Sequence, residues 1–184
     1  MGAVNEEVIF AGAVEGLFLR GLGARVTPEL RAELKGVGLD LDRKILPGYP
    51  RKVWNAAIPL AAAHVWPKLD VAAAHVLLGR TIIDGFKLTL LGKALAGMAK
   101  VLGPMRTLAR MRQNLRTGGN YNETSLTPEG ATAVRFWINE PYLHPGYVKG
   151  LVQGSLEISG ARNSSVEVLS VDDKGATYRV SWDA

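Results

Sequence analysis

The chain of 184 residues contains no cysteine, which excludes disulfides, thiolate metal ligands and a cysteine nucleophile. Long apolar runs are missing too. The longest uncharged stretch, Val53 to Pro67, has 15 residues and an internal proline, too short for a membrane span. The opening "MGAVNEEVIF" lacks the basic region of a secretory signal, so a cytoplasmic location is expected. Acidic residues are absent between Lys87 and Arg116, although seven cations fall there. Histidines number three, with no H-E-x-x-H and no two at a spacing of four. Serines and threonines lie in no nucleophile elbow. Glu15, Asp40, Asp42 and Asp84 show no spacing that signals acid–base work. In "GLFLRGLG" (16–23), Leu22 stands where a phosphate loop needs lysine. The chain is therefore expected to be non-catalytic and to bind neither haem nor zinc.

What is present reads as one globular domain, 1–184, with 47% apolar and 21% charged residues. The net charge of +5 permits acidic partners without demanding them. Arg106 and Arg110 are four apart, as are Arg112 and Arg116, so each pair shares a helix face. This basic patch suits phosphates or an acidic partner. Aromatics do not interleave with it, so nucleic acid is not the expected ligand.

Residues 1–116 read as mainly helical. "VIF" is extended, and an uncertain helix follows through "GAVEGLFLRGL". Thr27 and Pro28 start a helix that Gly36 or Gly38 ends. Another runs from Pro50 towards Trp66, with a kink expected at Pro59. Asp70 caps "VAAAHVLLGRTIIDGF", which is apolar nearly all round and so reads as buried; His75 within it reads as a core histidine. Leu88, Leu91, Leu95, Met98 and Leu102, at spacings of three and four, predict the inward face of the next helix. Pro104 begins another.

After Gly119 the period changes to two. Residues 117–184 read as ββαββ: a hairpin through "ATAVRFWIN", a helix from Tyr147 to Ser159, and a hairpin ending in "ATYRVSW". The expected fold is α+β, a helical layer on a four-stranded antiparallel sheet. The helix carries Gly146, Gly150 and Gly154 on one stripe, each costing roughly 0.8–1 kcal/mol against alanine. A bare stripe lets a backbone approach the sheet, a second helix, a twin subunit or a flat ligand. Trp54, Phe86, Trp137 and Tyr147, with Gly150 and Gly154, are the candidate ligand-binding residues, and core packing is the alternative use of the aromatics.

Stretches running nearly end to end carry a resemblance: "VEGLFLRGL" (14–22), "TPELRAELKGVGLDLDR" (27–43), "YPRKVWNAAI" (49–58), "LGRTIIDGFKLTLLGKAL" (78–95), "LGPMR" (102–106), "GYVKGLVQGSLEISGAR" (146–162) and "GATYRVSW" (175–182). They resemble a large paralogous family of uncharacterised proteins largely restricted to myxobacteria, and no activity comes with it. The glycine-bearing helix and the hairpin ending in "YRVSW" are also similar to four-vinyl-reductase-like domains, which share a fold with haem–nitric-oxide-binding sensors and small TRAPP subunits. That resemblance implies a pocket between helices and sheet for an apolar ligand, and dimers. Departures are the missing cysteines and the missing Tyr-x-Ser-x-Arg motif of the haem sensors. The expected function is a binding module that senses a small hydrophobic ligand and signals through a partner protein. A ligand-free scaffold and an acidic-polymer binder using Arg106 to Arg116 are the alternatives. A homodimer is expected, because the edge segment "NYNETSL" carries one charge and no proline.

Overall fold

The computed structural model describes residues 6–183. Strand β1 (Val8–Phe10) pairs antiparallel with β2 (Gly48–Pro50). Between them lie a short α1 (Ala11–Val14), a π-helix (Glu15–Leu22) and α2 (Pro28–Gly36). The Thr27 hydroxyl accepts from the Leu30 amide, capping α2 as its sequence requires. Helix α3 (Arg51–Val65) runs through Pro59 as one element. Asp70 caps α4 (Val71–Lys87) through the Ala73 amide.

Helix α5 (Leu90–Ala109) starts on a Thr89 cap and is interrupted at Gly103, whose φ of 75° suits glycine, just before Pro104. A short α6 (Met111–Leu115) follows. Leu88, Leu91 and Met98, expected to face inward, are exposed. The 3.6-residue period was right for α5, and of the residues expected inward Leu95 does line the cavity, but its companions on that side are Gly92, Ala96 and Ala99.

Strands β3 (Thr124–Pro128), β4 (Ala133–Ile138), β5 (Arg162–Val171) and β6 (Ala176–Asp183) form an antiparallel sheet in the order β3-β4-β6-β5. Helix α7 (Pro145–Ile158) joins its two hairpins. Alternation sets the faces. Val134, Phe136, Ile138, Ala176, Tyr178, Val180 and Trp182 are buried. On the other side Arg135 and Arg179 reach Glu129 at 2.6 and 3.4 Å. The Tyr178 hydroxyl donates to the Pro145 carbonyl, tying the sheet to the start of α7.

Helix α7 contacts both β5 and α4. Its glycines make the second contact possible. A Cβ on Gly146 would lie 2.8 Å from the Ala72 carbonyl oxygen, and one on Gly154 3.1 Å from Ile83 Cβ. Gly79 of α4 reciprocates, since a Cβ there would stand 2.0 Å from the Tyr147 carbonyl oxygen. The stripe is therefore the seam of two helices within one chain. It is neither a ligand wall nor a subunit contact. On its other side α4 meets the π-helix, where Gly85 packs on the Gly16 carbonyl.

Candidate functional site

A cavity of about 130 Å³ opens behind α5. Helix α4 contributes Ile82, Ile83 and Phe86, and α5 contributes Leu95, Ala96 and Ala99. Met111, Leu151 and Ile158 close it from α6 and α7. Small residues on α5 hold that helix near the cavity without filling it. The walls are apolar apart from Lys87, Thr107, Asn114, Thr117 and Ser155. An engineered apolar cavity of about 150 Å³ binds benzene or xenon, so this one has room for a group of that size.

The candidate residues separate. Phe86 lines the cavity. Trp54 and Tyr147 border a second cavity of about 70 Å³, beside Tyr121 and Glu140. Trp137 lies half-buried on the opposite side of β4 from Phe136, away from both cavities. Gly150 and Gly154 face α4. The basic patch is divided as well. Arg112 and Arg116 both bind Glu123, the former at 2.5 Å. Arg110 donates to the Met98 sulfur at 3.0 Å, and Arg106 is exposed.

A buried ionic cluster borders the second cavity, and sequence reasoning passed over it. Arg51 Nη2 donates to Glu140 Oε1 at 2.8 Å and to the Asn139 carbonyl, while Nη1 donates to Glu7 at 2.9 Å. Its guanidinium lies 4.1 Å from the Tyr121 ring centroid and 4.9 Å from that of Tyr142. Burial pushes the Glu140 carboxyl above its usual range against the pull of Arg51. Burial also raises the Tyr121 phenol, which stays protonated. The cluster fastens the N-terminal strand and α3 to the loop after β4. Glu7 and Glu140 lie 44 and 89 residues from Arg51 in sequence, so no local spacing announces them.

The histidines lie elsewhere. His64 Nε2 is 2.9 Å from the Thr27 hydroxyl. His75 donates from Nδ1 to the Val71 carbonyl, and His144 Nδ1 accepts from the Gly146 amide at the start of α7. The His75 and His144 rings stack with centroids 4.7 Å apart. Burial, then the neighbouring His75, lowers the His144 pKa. Among the described residues no three His, Asp or Glu side chains gather into a metal site.

The helical layer on this antiparallel sheet resembles the fold of solved H-NOX domains. An H-NOX protein from S. oneidensis in the Fe(II)NO ligation state superposes with a TM-score of 0.70 at 8% identity, over 94% of this chain and 99% of that one. An oxygen-binding H-NOX domain related to soluble guanylate cyclases gives 0.65 at 19%, over 95% and 96%. A structure described in terms of haem redox potential and protein-induced porphyrin distortion gives 0.63 at 19%, over 95% and 96%. By sequence, the chain belongs to the family described as protein of unknown function (DUF2378), whose model matches residues 7–183. No curated protein matches it.

The exclusion of haem drawn from the sequence is overturned by these neighbours. That exclusion rested on histidines without partners and on a missing motif, and neither is a ground against haem in a fold whose solved members include haem proteins. The cavity's own donors are the buried Met111 thioether and the Lys87 amine, which Asp84 holds at 2.6 Å. No histidine is among its lining residues. As the chain stands, that donor set offers a haem a thioether and an amine but no histidine.

Proposed function

We propose that the chain is a ligand-sensing module, not an enzyme, and that the cavity behind α5 takes an apolar ligand. The observation that carries this reading is the unfilled cavity itself. Protein interiors pack as densely as organic crystals, and a scaffold with no ligand has reason to fill such a space with its own side chains. The H-NOX neighbours support it by precedent, and they make haem the first molecule to test. Helix α5 is the transducing element. Its inner face lines the cavity, its outer face meets solvent, and Gly103 supplies a hinge at its far end. A ligand that binds one position of α5 better than another shifts the population between them, and a partner protein reads the change.

The test is titration of the purified chain with haemin, following the Soret band. A saturable one-to-one shift that Ala99→Phe abolishes puts the porphyrin in this cavity, and its loss in Met111→Leu names the sulfur as a ligand. No shift restricts the cavity to smaller apolar molecules. A shift unchanged by Ala99→Phe would contradict the proposed site.

A further inference from the structure

We infer that the outer face of α5 docks on an anionic lipid surface. The face is apolar and open. Leu90 is 88% and Val101 87% exposed, and Leu88, Leu91 and Met98 are also exposed. Positions 90, 94, 97 and 101 follow the spacing of one helix stripe, so Leu90, Ala94, Gly97 and Val101 form a row with Leu91 and Met98 beside it. Scattered exposed leucines are ordinary, whereas a contiguous apolar strip marks an interaction site. Rotating α5 would not bury the strip without exposing Leu95 and Ala99, which already face the cavity.

Charge decides among the occupants. No acidic residue lies between Asp84 and Glu123. Asp84 neutralises Lys87, and Glu123 neutralises Arg112 and Arg116. Lys93, Lys100, Arg106 and Arg110 make no ion pair among the described residues. Lys93 and Lys100, seven apart, run along one flank of the strip, and Arg110 stands on the other, against Met98. A second copy set α5 against α5 would bring the same cations together with no acid between them. An anionic bilayer supplies both the apolar layer and the negative charge, and lysines beside such a strip reach up to headgroups while their stems stay in apolar contact. From Leu90 to Val101 the strip is about 17 Å long at 1.5 Å per residue. That is well short of the ~30 Å bilayer core, so the helix lies on the surface. None of this depends on what fills the cavity.

The experiment is co-sedimentation of the full chain with vesicles of phosphatidylcholine alone or with one-third phosphatidylglycerol. Binding is expected to the phosphatidylglycerol vesicles, at least tenfold weaker to phosphatidylcholine, and falling with added salt. The exposed double variant Leu90→Glu/Val101→Glu should lose it with an unchanged circular dichroism spectrum. Lys93→Glu/Lys100→Glu should weaken it with the apolar strip intact. Failure to bind phosphatidylglycerol vesicles, or binding that Leu90→Glu/Val101→Glu retains, overturns the inference. A dimer in light scattering that the same variant dissociates, without vesicle binding, would also overturn it and give the face to a second copy.

Discussion

Gly150 of α7 lies against the backbone of Val76 in α4, so closely that a Cβ on Gly150 would stand 2.0 Å from the Val76 carbonyl oxygen. Backbone cannot yield as a flexible side chain can. Gly150→Ala is therefore expected to destabilise the chain by about 1–3 kcal/mol, although helix propensity alone would favour alanine by roughly 0.8–1 kcal/mol. Gly97 of α5 is the control, because nothing lies within 4 Å of a Cβ there. Gly97→Ala should gain roughly that propensity term. Urea unfolding of the two variants checks both signs, and a stabilised Gly150→Ala would refute the helix seam.

The Arg51–Glu140 pair gives the second expectation. Both side chains are buried and 2.8 Å apart. Removing Arg51 leaves the buried Glu140 without its cation, at a cost of about 3–5 kcal/mol, whereas removing the Glu140 charge leaves Arg51 its bond to Glu7 and should cost less. Arg51→Met and Glu140→Gln should each unfold in less urea than the parent chain. The double variant should be less damaged than the sum of the two. Additive losses would mean that the pair does not couple.

His144 gives the third. Its Nδ1 accepts from the Gly146 amide, it caps a helix start where positive charge is unfavourable, and it stacks on His75. Asp70 is the opposing anion. The folded-state pKa is lowered, chiefly by burial. The unfolded chain therefore binds more protons as pH falls below about 6.5. Stability from this group is present above that pH and is lost as pH drops through the lowered pKa. His144→Asn keeps an acceptor at the helix start without titrating. The urea midpoint should fall more between pH 7 and 5 for the parent than for His144→Asn. Parallel falls would contradict the assignment.

The hairpins were legible because alternation over "ATAVRFWIN" and "ATYRVSW" leaves one buried face, and Asp70 and Thr27 announced their helices by capping chemistry. The glycines of α7 were legible as a close approach but not as to what approached, since Gly79 and Val76 lie some 70 residues away in sequence. The π-helix at Glu15–Leu22 was read only as an uncertain helix. Nothing in local propensity separates an i+5 turn from an i+4 turn, and here Gly16 is packed on Gly85 of α4. In α5 the period was read correctly and the face wrongly. Leucines were assigned inward on hydrophobicity, and Leu95 is, whereas the rest of the side that fits beside the cavity is Gly92, Ala96 and Ala99. Of the site, only Phe86 was foreseen on the main cavity wall. Met111 and Ala99 carry no signal as lone residues, and haem was set aside on unpartnered histidines and a missing motif although the fold has haem-bearing members.

Whether the cavity behind α5 takes an apolar molecule is tested most directly by titrating the isotope-labelled chain with benzene and following its amide spectra. Saturable shifts confined to residues of α4, α5, α6 and α7 around Phe86, Ala99 and Met111 are expected, and they should vanish in Ala99→Phe, whose ring occupies the space. Shifts that grow linearly without saturating, or that persist unchanged in Ala99→Phe, would contradict it.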